Sequence, residues 1–188
     1  MKVYFHVCIE TWTNTYLIVN DDPNVMEAII VDPSQITNRL IDLIEGNGYK
    51  LVGILITHNH AHHIDGLRTL TKIYNATVYA ADSETYGMNS CILNGDGMTR
   101  IANFNVEFFS IPGHSPDSMV YKIGDILFTG DTLISGETGS TSSQYSKKLL
   151  CGKIKDKLFK LPNRTLIFPG HGTPGTIESE KQFNMDLM

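Results

Sequence analysis

Within the stretch ILITHNHAHHIDG, histidine fills positions 58, 60, 62 and 63, four of six consecutive residues. An imidazole is costly to bury unless its nitrogens find partners, and in its neutral form it is the commonest protein metal ligand. The apolar run Leu51–Ile56 ahead of it predicts a strand. Ile64, Leu67, Leu70 and Tyr74 behind it fall on one face of a helix. The histidines therefore occupy a strand-to-helix junction. In extended backbone His58 and His60 point to one side, and the turn into the helix carries His62 and His63 to a neighbouring position, so one loop serves two adjacent metal subsites.

Three later segments repeat the same grammar of an apolar strand, a tight turn and a metal-competent side chain: VEFFSIPG before His114, DILFTG before Asp131 and TLIFPG before His171. Glycine directly before each of these residues lets the backbone turn sharply beside a crowded site. Proline ahead of two of those glycines stiffens the approach. Strands of one sheet can deliver all of these side chains to a common edge. Of the seven histidines only His6 lies outside the clusters, and it reads as an ordinary strand residue. Imidazoles together with a carboxylate suit zinc, iron or manganese.

The remaining pattern predicts strands at Lys2–Ile9, Thr15–Val19 and Met26–Val31, paired as an antiparallel meander. Others are expected at 76–81, Phe104–Ile111, Ser118–Ile123, Asp125–Thr129 and Thr165–Phe168. A helix is expected between Pro33 and Gly46 with Ser34 as its cap, and another over Tyr145–Leu161. With 188 residues, 41% of them hydrophobic and no shift in composition along the chain, one domain spanning residues 1–188 is expected. A net charge of −5 argues against nucleic acid and anionic membranes as partners and leaves a small molecule as the expected one. No run approaches the roughly 20 apolar residues of a membrane helix. The alternating opening segment does not read as a signal peptide. Cys8, Cys91 and Cys151 are too dispersed for a disulfide framework, so a reduced, cytoplasmic protein is expected.

Taken together, these segments resemble the metallo-β-lactamase fold superfamily, whose loop reads His-x-His-x-Asp-His and is followed by a distant His, an Asp after Gly and a last His. GHSPDSMVY, LFTGDTLISG, LIFPGHGTPGTI and the tail IESEKQFN stand in the order of the short glyoxalase II-like (hydroxyacylglutathione hydrolase-like) proteins. The resemblance implies an α/β fold, a four-layer αββα sandwich with the site at its rim. It further implies that His58, His60 and His114 hold a first divalent metal, that His63 and His171 hold a second, and that Asp131 bridges them. Two zinc ions are the expected cofactors, with iron or manganese as alternatives. The implied reaction is hydrolysis of a small acyl thioester, or a related ester, by a metal-bound hydroxide.

The chain departs from that pattern at His62, which stands where the family has its loop aspartate. An imidazole can still ligate, but a neutral ligand in place of an anion leaves more positive charge at the second site, so weaker second-site occupancy is expected. Asp131, His62 and Asp65 are the candidate catalytic groups, with Asp65 expected as the carboxylate that receives a histidine N–H. GETGSTSSQ lacks the family's frequent Gly-Arg and leaves Ser140 near that place, and Asn184-Met185 replaces Asn-Pro. A recessed glutathione pocket, which longer glyoxalase II enzymes build with an extra helical domain, is not expected here. Three functions remain open at this point: a thioester hydrolase, a mononuclear iron sulfur dioxygenase and a metal- or ligand-binding protein with reduced hydrolytic activity.

Overall fold

The computed structural model describes every residue except Asp21. β1 (Lys2–Cys8), β2 (Thr13–Val19) and β3 (Glu27–Val31) form the expected antiparallel meander. β4 (Lys50–Leu55) and β5 (Thr77–Ala80) then add in parallel. A two-residue hairpin of β6 (Glu84–Thr85) and β7 (Met88–Asn89) leads to β8 (Cys91–Ile92), which closes a six-stranded sheet in the order β1-β2-β3-β4-β5-β8. The second sheet contains β9 (Gly97–Ile101), β10 (Phe104–Ser110), β11 (Met119–Ile123), β12 (Ile126–Gly130), β13 (Leu166–Pro169) and β14 (Gly175–Thr176). Its order is the reverse of the sequence, β14-β13-β12-β11-β10-β9. Here β12 and β13 are the parallel pair.

Both sheets are buried on both faces, which is why β2, β3 and β12 read as nearly continuous apolar runs. Along β3, Ile29 and Val31 face the space between the sheets, where they join Tyr16, Leu55, Tyr121 and Phe128. Ala28 and Ile30 turn to the opposite face, against Leu40, Ile44, Leu67 and Leu70 of the helices. The second sheet does the same, sending Phe128 inward and Leu127 outward against Leu150, Ile154 and Ile177. Two sheets between two helical layers make the αββα sandwich. Each large apolar side chain so enclosed contributes roughly 2 kcal/mol of transfer free energy.

The helices differ from expectation in detail. α1 (Asn38–Gly46) is capped by Thr37, whose Oγ1 accepts from the Leu40 amide at 3.3 Å. Ser34, the expected cap, is instead buried in a hydrogen bond with Thr15, Oγ to Oγ1 2.8 Å. The helix expected after the histidines is two helices, α2 (Ala61–Ile64) and α3 (Leu67–Ile73). They separate at Gly66, whose amide donates to Pro33 O at 2.8 Å and where a Cβ would lie 2.6 Å from that same oxygen. α4 (Gln144–Lys153) runs into a single π-helical turn at Ile154–Leu158, shorter than the expected span. α5 (Ile177–Phe183) begins in a capping box built by Thr176 and Ser179. Among the described residues no helix is long and apolar enough to cross a membrane. The three cysteines are free.

Candidate metal centre

Strands β3 and β4 run parallel in one sheet and β12 and β13 in the other, and the residues that leave their carboxyl ends meet at one rim. β3 ends at Asp32, β4 at Thr57 and His58, β12 at Asp131 and β13 at His171, while the loop after β10 brings His114. The two sheets are tied together at this rim. Met119 N donates to Thr57 O at 2.7 Å, Tyr121 OH to Ile56 O at 2.6 Å and Tyr16 OH to Pro169 O at 2.7 Å. Asn14 Nδ2 donates to Pro169 O and Gly172 O, on either side of His171. Gly170 must be glycine for this convergence, since a Cβ there would sit 2.5 Å from His63 and 2.7 Å from Asp131 Oδ1.

Two groups of donor atoms result, each with its atoms within 4.8 Å of one another: His58, His60 and His114 in one, His58, His62, His63 and Asp131 in the other. His58 belongs to both. His62 thus stands beside the carboxylate-bearing group. His171 is placed differently from the rest, with Nδ1 donating to Asp131 Oδ1 at 2.7 Å and Nε2 lying 3.3 Å from Thr13 Oγ1. Asp65 is exposed at the end of α2, so the carboxylate expected there for a histidine N–H is supplied by another residue. Asp32, buried at the end of β3, accepts from His63 Nδ1 at 2.9 Å, from the Thr57 amide at 2.8 Å and from Thr57 Oγ1 at 2.6 Å.

Those bonds decide the imidazole tautomers. Because the Thr57 hydroxyl proton is given to Asp32, the 3.0 Å bond between Thr57 Oγ1 and His58 Nδ1 has the histidine as donor. His114 Nδ1 likewise donates to Ser140 O at 2.8 Å. In their neutral forms His58, His63 and His114 are therefore left with a lone pair on Nε2. Those three nitrogens lie 4.0, 3.5 and 3.7 Å from the Asp131 carboxylate. The Nε2 atoms of His58 and His63 are buried and make no hydrogen bond. Lone pairs facing an anion in a buried site require positive charge between them, and a divalent cation fits the donor set.

The charge states agree. Burial, and then the nearby positive charge of His63, pushes His58 down to about 2. His60 and His62 are also lowered, by burial first and by neighbouring histidines second. Burial works against charge on His63 too, yet Asp32 and Asp131 together raise it to about 9. Burial opposes the charge of Asp131, but hydrogen bonds from His171 and His63 hold its carboxyl far below the usual range. Without metal, a proton on His63 supplies the positive charge that the lone pairs require, and metal binding displaces it.

This arrangement predicts how the chelator-treated protein responds to acid. His58 refuses the proton that the unfolded chain accepts below pH 6.5, so its contribution falls by about 2 kcal/mol between pH 7 and pH 5. His63 has the opposite sign: its raised pKa gives stability that is full below 6.5 and lost as pH rises through about 9, so it returns about 1 kcal/mol over the same interval. Asp131 stays ionised in both states across that window. His60 and His62, also lowered, act in the same direction as His58, so the net expectation is a loss of at least about 1 kcal/mol from pH 7 to pH 5, read as a lower urea midpoint, and His58→Ala shifts that change by about 2 kcal/mol in the stabilising direction.

A family model described as the metallo-beta-lactamase superfamily matches residues 12–171. A probable metallo-hydrolase of Bacillus subtilis, YqgX, is 29% identical and is covered over 90% of its length by 91% of this chain. The mitochondrial persulfide dioxygenase ETHE1 of Mus musculus is 32% identical across 93% of this chain and 71% of its own. A hydroxyacylglutathione hydrolase of Chromohalobacter salexigens is 32% identical across 77% of this chain, which spans only 57% of that enzyme.

Proposed function

The chain belongs to the metallo-beta-lactamase superfamily, and from that premise we propose that it is a metal-dependent hydrolase of a small acyl thioester. The observation that carries this reading is the pair of donor groups sharing His58 at an open rim, with buried, unpartnered Nε2 atoms directed at one carboxylate. His58, His60 and His114 would hold one divalent ion. His62, His63 and Asp131 would hold the other, with His171 steadying Asp131 through its Nδ1 hydrogen bond. Such a cation, whether zinc, iron or manganese, supplies a Lewis acid for a carbonyl oxygen and brings the pKa of a coordinated water towards neutrality.

The chain's own groups do the rest. Asp32 fixes the tautomer and direction of His63 and, through Thr57, those of His58. Ser140 O does the same for His114, from the loop after Asp131 where the family often has Gly-Arg. Asp131 is the carboxylate of the donor groups, and its depressed pKa keeps it an acceptor throughout the neutral range. The named hydroxyacylglutathione hydrolase supports a thioester as substrate. The test is release of free thiol from a panel of acyl thioesters by protein stripped with chelator and reloaded with zinc, iron or manganese. Failure with all three metals rejects the hydrolase.

The similarity to a persulfide dioxygenase across 93% of this chain supports a second reading, a mononuclear iron enzyme oxidising a persulfide. Two histidines and Asp131 suit a facial triad with open positions. Oxygen uptake with glutathione persulfide under iron, in the absence of thiol release, selects it.

A further inference from the structure

The first sheet ends on β1, and we infer that this edge is the interface of a homodimer, in which β1 pairs antiparallel with β1 of a second copy about a two-fold axis at Phe5. The other sheet edges are shorter: β8 and β14 have two residues each and β9 has five. β1 has seven, as many as any strand of the protein, in unbroken register with β2. It contains no proline and one charged residue, Lys2, at its start. A long regular edge of this kind templates the pairing of another chain, which is why edges are ordinarily shortened, bent or charged.

The outward hydrogen-bonding groups set the register. The amide of Asn14 on β2 goes to Gly170 O, and that of Asn20, just beyond the strand, to Glu27 O of β3, so the even-numbered residues of β2 turn away from β1. Their opposite numbers Val7, Phe5 and Val3 therefore direct their own N–H and C=O groups away from β2. Among the described residues those groups bond to no other part of the chain. An axis at Phe5 sets Val3 opposite Val7 of the copy and Phe5 opposite its own copy, so all three residues bond to one another. A slip of one residue would face them with groups that point inward.

The same axis covers apolar surface and matches charge. Phe5, 50% exposed, meets its copy, and past the strand ends Ile9, 74% exposed, approaches Met1 of the copy. On the helical side a cavity of about 420 Å³ opens between β1 and α1, lined by Tyr4, Phe5, His6, Arg39, Asp42 and Leu43. Arg39 and Asp42 are exposed, three apart on one face of α1, and neither side chain forms an ion pair or hydrogen bond among the described residues. A two-fold axis at Phe5 runs α1 antiparallel to its copy across the joined cavities and turns Arg39 of each towards Asp42 of the other. One unpaired cation and one unpaired anion on the same patch are what an isologous contact requires, and they single out a second copy as the occupant.

The experiment is sedimentation of the full chain at micromolar concentrations. The native protein is expected at twice the 20.9 kDa of one chain. Arg39→Asp and Asp42→Arg each set like charges against one another on both sides of the axis, and each is expected to raise the Kd of the dimer about 100-fold. Mixed in equal amounts, the two variants restore both opposite-charge contacts and are expected to form a heterodimer with near-native affinity, which also shows that both are folded. The axis is tested in a Cys91→Ser background, where Phe5→Cys should cross-link two copies on oxidation and Val3→Cys, opposite Val7, should not. A monomer at every concentration, a dimer indifferent to both charge reversals, or a mixture no tighter than either variant alone overturns the inference. Cross-linking through Val3→Cys in place of Phe5→Cys overturns the axis.

Discussion

His58→Ala removes the first ion, weakens the hold on the second beside it and lowers thioester turnover about a thousandfold, more than any other single substitution at the rim. The reason is geometric: His58 is the one residue common to the two groups. Loss of a group that merely orients a ligand costs roughly 10–100-fold in affinity or activity, and loss of a ligand at the junction of the two groups must cost more. The fold should survive, because the metal-free protein gains nothing from a buried nitrogen without a partner. Elemental analysis should find less than one ion per chain while the far-ultraviolet circular dichroism stays native. Retention of two ions would show that His58 is not a ligand.

The second large effect is expected at Asp32, which no part of the catalytic face contains. Its carboxylate accepts three hydrogen bonds, two from Thr57 and one from His63. Asp32→Asn keeps the shape and tolerates the backbone, since φ is 48° there and asparagine adopts that region as readily as aspartate. Its one amide oxygen cannot, however, replace both carboxylate oxygens: Oδ1 accepts from the Thr57 amide and Oδ2 from His63 Nδ1 and Thr57 Oγ1, so an NH2 group must face one of these donor sets. Metal affinity should fall about 10–100-fold and the metal-free protein should lose about 2 kcal/mol, the usual worth of a buried hydrogen bond to a charged group. Competition with a chromophoric chelator and urea unfolding check the two parts separately. An effect on stability with unchanged metal affinity would confine Asp32 to a structural role.

The sequence made the strand-to-helix histidine junction visible because four imidazoles in six positions have no ordinary packing role, and the Gly-His and Gly-Asp turns marked the other chemistry-bearing ends. The same grammar extends to AIIV followed by Asp32, an apolar strand ending in a carboxylate. That signal is weak, because Asp before Pro is also a common turn. Asp65 was the nearer candidate in sequence, but the turn that starts α3 leaves it in solvent. Asn14 and Thr13 gain their role only when β2 crosses to meet the loop of His171, and nothing local announces a contact across 158 positions. The two-residue strands β6, β7, β8 and β14 are too short to show a period. Ser34 and Thr37 offer the same hydroxyl to α1, and the choice between them was made by Thr15, which holds Ser34 from another strand.

His62 remains the position on which the account turns, because it places a neutral ligand where the family pattern has an anion and yet lies with His58, His63 and Asp131. Metals per chain, counted by elemental analysis beside thioester hydrolysis, for the native protein and His62→Asp, test this most directly. Near two ions per native chain with turnover is the predicted result, the second ion being lost first on dialysis and held more tightly in His62→Asp. One ion per native chain, with hydrolysis appearing only in His62→Asp, would contradict it.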